Sequence, residues 1–160
     1  MIKHLALLLL SLTSCSLLTT KSEPIEYFTL NKVKDSCIES IEIKAPSYLL
    51  SEKIILRKGD HLIGSLNNSY WISPIQNLVT EIVTNKDGNY LAKLTIADLY
   101  FDVESNQLIF SYDLNLCDRK NCSAKSNTIL IKVMTKNPID IIKAHQSIFN
   151  KLVNDACKSI

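Results

Sequence analysis

From Leu108 to Leu116 every second residue is apolar: Leu108, Phe110, Tyr112, Leu114 and Leu116 alternate with Ile109, Ser111, Asp113 and Asn115. A period of two with one greasy parity predicts a half-buried strand. Leu91–Val103 has the same period with a change of phase. Ala92, Leu94 and Ile96 share one parity, and Leu99, Phe101 and Val103 the other, so a bulge is expected near Asp98. Glu104-Ser105-Asn106 reads as the turn between these two runs. "CIESIEIK", Cys37–Lys44, sets Ile41 and Ile43 against Glu42 and Lys44, and Ala45-Pro46 stops it because proline cannot donate to a ladder. Ile54–Leu56 and His61–Ile63 flank Arg57-Lys58-Gly59-Asp60, a hairpin pattern. Glu26–Leu30 and Thr128–Met134 are shorter β runs.

Two segments switch to a helical period. Ile75, Leu78, Val79, Ile82 and Val83 recur at i, i+3, i+4, i+7 and i+8. Ser73 stands as the cap, Pro74 at the first helical position, and Gln76 as the far half of a capping box. Asn137-Pro138 opens a second helix to about Cys157, with Ile141, Ile142, Ile148, Phe149, Leu152 and Ala156 on its buried side. Strands grouped around two helices and joined by short turns predict an α+β fold, a mainly antiparallel sheet with two helices packed on one face.

The N-terminus follows different rules. Lys3 precedes the apolar run Leu5–Leu10, which is far too short to span a bilayer. A basic start followed by a short apolar segment is an export signal. Leu12-Thr13-Ser14-Cys15 resembles the lipobox of bacterial lipoproteins, in which the cysteine is acylated and becomes the first mature residue; the alternative is an ordinary signal cut near Ser14 or later. The expected division is a signal over 1–14, an acylated N-terminus and tether over 15–24, and one domain over 25–160. Ser16, not Asp, follows Cys15, which in Gram-negative lipoproteins favours the outer membrane and its periplasmic face.

Removing residues 1–14 from the 160 leaves 146, enough for one well-buried core. The removed part holds one base and no acid, so the mature chain carries 17 basic against 16 acidic residues. Such a balance gives no case for nucleic acid. The three glycines form neither GxGxxG nor GxxxxGK[ST]. Besides Cys15 there are four cysteines, and an even number in an exported chain makes disulfides plausible. Cys117 and Cys122 bracket a polar turn whose ends can approach bonding distance. Cys37 and Cys157 are then the leftover pair, or else two small buried apolar residues. No histidine lies near Cys117 or Cys122, so a zinc site is disfavoured, and no metal or cofactor is expected.

Candidate chemistry is sparse. His145 falls beside an apolar helical stripe and His61 in a turn. Asp98, Asp102, Glu104 and Asp113 can in principle supply a carboxylate pair, although alternation puts some on a solvated sheet face. No nucleophile motif is present, so an enzyme is not expected. Tyr70 and Trp71, just before the first helix, form an exposed contact pair or a packed helix start.

In order along the chain, the lipobox at Cys15, "YFTL" at Tyr27–Leu30, "APSYLLSEKIILR" at Ala45–Arg57 and "YWISPIQNLVTEIV" at Tyr70–Val83 resemble the ABC-type transport auxiliary lipoproteins of the PqiC/YmbA type. The C-terminal layout of long hairpin, further strand and closing helix matches too. Departures are Ile75 where leucine is usual, few glycines, and the pair Cys117 and Cys122. The resemblance implies a non-enzymatic docking component, anchored to the lipid bilayer by its acylated cysteine. It would serve an ABC transporter with an Mce-domain substrate-binding protein that moves phospholipids or other hydrophobic molecules across the periplasm. Pro46, Tyr48, Leu49, Tyr70 and Trp71 are the expected contact residues, and assembly of several copies stays open. The alternatives are another envelope-assembly scaffold, such as one for lipopolysaccharide, and a lipid-anchored hydrolase.

Overall fold

The structure, a computed structural model, describes residues 23–58 and 61–158. The expected signal, Cys15, most of the tether, and Gly59-Asp60 lie outside the described residues. The strands are β1 (Glu26–Phe28), β2 (Ile38–Lys44), β3 (Lys53–Lys58), β4 (His61–Trp71), β5 (Tyr90–Asp102), β6 (Gln107–Cys117) and β7 (Cys122–Lys132). The helices are α1 (Ile75–Val83) and α2 (Pro138–Cys157), with a single 3-10 turn at Ser47–Leu49.

All seven strands form one sheet in the order β1-β4-β3-β5-β6-β7, with β2 also on β5. The sheet is mixed, which corrects the expected mainly antiparallel arrangement. β3·β4, β5·β6 and β6·β7 are antiparallel, whereas β1·β4, β2·β5 and β3·β5 are parallel. The physical reason lies in the connections. Parallel neighbours need a crossover rather than a tight turn, and α1 lies on the path from β2 to β5. Hydrophobic period fixes which side chains face inward and carries no information on strand direction.

One edge of β5 is occupied along its length by β6. The other is shared, with β2 against Tyr90–Thr95 and β3 against Phe101–Asp102. The chain therefore leaves this lane after Lys44, passes through the 3-10 turn, and rejoins it in the same direction. Ala97 is the extra residue between the pairs Ile96↔Tyr112 and Asp98↔Ser111. This bulge returns Leu99 and Phe101 to the face used by Leu94 and Ile96, so the apolar surface is continuous through the phase change.

That face carries Leu108, Phe110, Tyr112, Leu114 and Leu116 of β6, all buried. Phe110 meets Phe149 of α2 edge-to-face at 5.6 Å between centroids. α2 lies over β6 and β7, α1 over β2, and the helices touch each other. Ile75, Leu78, Val79, Ile82 and Val83 are the buried residues of α1. The cap differs from the expected box: Pro74 is the N-cap and no side chain caps the helix. Asn137 caps α2, its side chain accepting from the Asp140 N–H at 2.8 Å.

Three further elements differ in extent. β4 runs to Trp71, so Tyr70 and Trp71 end a strand rather than open a helix. Gly64 has φ +131°, a conformation open to glycine, at an irregularity in the β3·β4 register. β7 begins at Cys122, not Thr128, and Cys122–Thr128 is exposed on both parities. At the other end of the hairpin Asn106 takes φ 53°, and Asp102 accepts from the N–H groups of Glu104 and Ser105 at 3.2 Å each. A side-chain amide or carboxylate that tolerates or braces the left-handed turn is the reason these residues suit it.

Candidate functional site

The candidate chemistry is distributed across the molecule. His145 is buried under Trp71, with ring centroids 4.9 Å apart at 78°. Its Nδ1 lies 2.9 Å from the Ile141 carbonyl one turn earlier. Burial holds the imidazole in its neutral form and pushes its pKa down to about 4, against the opposing effect of the Ile141 bond. His61 is exposed at the start of β4, in register with Lys58. Asp102 braces the β5–β6 turn. Glu104 pairs with Lys58 at 3.5 Å, and Asp113 accepts a hydrogen bond from the Ser126 hydroxyl.

Asp98 sits at a junction. The bulge places it where β2 has ended and β3 has not yet met β5. There its Oδ1 accepts from the Tyr48 hydroxyl at 3.2 Å and pairs with Arg57 Nη1 at 3.4 Å. The Arg57 guanidinium lies 4.4 Å from the centroid of the Tyr100 ring, a cation–π geometry. Burial, and after it the Asp98 carboxylate, push the Tyr48 phenol above its usual range. This cluster joins three elements distant in sequence and fixes the detour between β2 and β3. The sequence singled out Tyr48 and Asp98 separately; nothing in their spacing pairs them or brings Arg57 to Tyr100.

The expected contact residues divide. Leu49 is 3 % exposed and Trp71 is 2 % exposed. Both belong to the core, which corrects their expected place on a contact surface: Trp71 closes over α2, and Leu49 packs inward from the 3-10 turn. Pro46, Tyr48 and Tyr70 are half-buried. The Tyr70 ring is 6.1 Å from that of exposed Tyr27 on β1.

Both cysteine pairs are bonded. Cys37–Cys157 joins the start of β2 to the end of α2, with Cα atoms 5.8 Å apart. Cys117–Cys122 joins register partners across the β6–β7 turn, with Cα atoms 4.1 Å apart. Within that turn Asp118 accepts from the N–H groups of Lys120 and Asn121 at 2.6 Å each. These two bonds hold its carboxyl below the usual range.

Among the described residues no three of His, Cys, Asp and Glu gather as a metal site. A cavity of about 360 Å³ is lined by polar side chains that include Asn31, Lys34, Asp35, Gln146 and Asn154. The surface feature missed by sequence reasoning is β7. It pairs with β6 alone and ends the sheet, with its first seven residues exposed. A strand edge of this kind offers a row of backbone donors and acceptors to an added strand.

No protein-family model matches the chain, and no curated protein matches it in sequence. Solved structures match it in fold. One, described only as an uncharacterized protein, superposes with a TM-score of 0.73 at 12 % identity, over 86 % of this chain and 99 % of that one. Another, a Xanthomonas campestris protein of the DUF330 family, gives a TM-score of 0.61 at 9 % identity over 85 % of each chain. At these identities the likeness shows a shared fold.

Proposed function

We propose that this protein is an envelope lipoprotein, acylated at Cys15, that acts as the docking component of an ABC/Mce-type system moving phospholipids or other hydrophobic molecules across the periplasm. The docking role is carried by β7, an eleven-residue strand at the end of the sheet with one partner strand and an exposed first half. Two disulfides suit an oxidising compartment. The anchor rests on Leu12-Thr13-Ser14-Cys15, and the transport class rests on the ordered residues from Tyr27 to Val83. A short tether on such an anchor raises the local concentration of a docking domain at one membrane.

The test is a photo-cross-linkable residue at Lys125, on the exposed half of β7, in the full chain in native membranes. The expected product contains an Mce-domain protein, and Cys15→Ser abolishes it while releasing the chain into the soluble periplasmic fraction. Cross-links confined to a lipopolysaccharide-assembly protein would transfer the chain to the scaffold class. A Cys15→Ser chain that stays membrane-bound would refute the anchor.

A further inference from the structure

Two strongly exposed apolar side chains lie where α2 begins. Met134 is 87 % and Ile139 is 58 % exposed. The segment that carries them is held at several points. The Val133 N–H donates to the Asn106 carbonyl at 2.8 Å, tying the segment to the β5–β6 turn. The Thr135 hydroxyl donates to Asp140 Oδ2 at 2.6 Å, and Asn137 caps the helix. Val133 and Ile141, at the two ends, are buried. The fold thus pins the backbone while directing Met134 and Ile139 outward.

The exposed charge of the stretch itself is mainly basic, while Glu23 and Glu26 line the adjoining cavity with Pro138. Lys132, Lys136 and Lys143 are exposed along this stretch. Its one acid, Asp140, is engaged through Oδ2 with Thr135 and Asn137 and through Oδ1 with Lys143 at 3.8 Å. The described chain begins at Glu23-Pro24, which lines a cavity together with Pro138, the neighbour of Ile139. Glu23 lies eight positions after Cys15, a reach of about 26–29 Å when extended. An anchor at Cys15 therefore keeps this corner within one tether length of the bilayer.

We infer that this corner is the membrane-facing surface of the protein. Met134 and Ile139 enter the boundary between headgroups and acyl chains, and Lys132 and Lys136 meet lipid phosphates. Two apolar side chains bind a bilayer weakly by themselves; the tether supplies the local concentration that makes the contact persistent. The result is a fixed orientation, which turns the opposite end of the sheet, with Leu91 and the Cys117–Cys122 turn, away from the membrane. The inference rests on the acyl anchor proposed above.

The experiment uses the full chain, processed and extracted from membranes, in vesicles of phosphatidylethanolamine and phosphatidylglycerol with and without brominated acyl chains. Met134→Trp is compared with Leu91→Trp, and the native Trp71 gives a buried background. At least twofold stronger quenching of Met134→Trp than of Leu91→Trp is expected, and Lys132→Glu with Lys136→Glu should reduce it. Mass analysis of the N-terminal peptide accompanies each sample. An acylated Cys15 with no preferential quenching overturns the face and leaves the anchor standing. An unmodified Cys15 overturns the anchor and the face together. Cross-linking from position 134 in native membranes to protein rather than lipid assigns the corner to a protein partner and overturns the inference.

Discussion

Cys37–Cys157 and Cys117–Cys122 are the same bond placed in opposite surroundings. The first spans 120 residues and fastens the end of α2 to the start of β2, with its sulfurs packed against the core. The second spans five and closes the tip of a hairpin whose outer strand lies largely in solvent. In the chain-entropy model the stabilisation grows with the logarithm of the closed loop, which gives about 5 kcal/mol for the first and about 2 kcal/mol for the second. The contrast teaches that one disulfide holds the two layers together while the other shapes a local edge.

The widest separation should come from the double substitution Cys37→Ala, Cys157→Ala. Urea unfolding should show a loss of about 5 kcal/mol, and a loss no larger than that of the hairpin pair would erase the distinction. Acid sharpens it next, because His145 lies in the helix-covered layer. Its folded pKa, about 4, is below the ordinary 6.5. The unfolded chain therefore binds the proton first, and this contribution is complete above pH 6.5 and lost as pH falls toward 4. The loss is on the order of 3 kcal/mol. Urea midpoints at pH 7 and pH 4.5 should draw together in His145→Gln relative to the native chain.

A smaller effect is expected from Cys117→Ala with Cys122→Ala, about 2 kcal/mol, accompanied by new proteolytic cleavage between 118 and 121 while the rest of the domain stays protected. The smallest is Asn137→Ala, which removes the α2 cap and should cost about 1 kcal/mol, read as a shift in the midpoint of thermal unfolding.

The same division explains what was legible in the sequence. Where a strand is covered on one face, its pattern is written in the residues: Leu108 to Leu116 alternate, the bulge at Ala97 follows from the phase change, and the α1 stripe from Ile75 to Val83 matches its buried side. Where a strand overhangs, neither face needs apolar residues. Ser123, Lys125 and Asn127 are therefore as polar as Ala124, Ser126 and Thr128 are weakly apolar or polar, and the first half of β7 reads as loop. Strand direction was also illegible, since alternation is identical for parallel and antiparallel neighbours. Trp71 was open for a related reason: an aromatic next to a helix start reads as an exposed anchor or as a packed residue, and α2, far away in sequence, decides for packing by supplying His145 against it. The Tyr48–Asp98–Arg57–Tyr100 cluster depends on contacts across at least 41 residues between Arg57 and Asp98, beyond any local window.

The shared lane along β5 has an evolutionary and practical corollary. Because β2 and β3 are each clamped to the same neighbour, the excursion between them begins and ends at fixed points, and a longer excursion adds only a slowly growing closure cost. The Glu52 carbonyl already accepts from the Trp71 N–H at 2.7 Å, so exposed Leu50, just before it, is the natural graft site: a tag or recognition segment spliced there leaves the strand lanes intact, and lineages built on this fold can diversify at that position without redrawing the sheet.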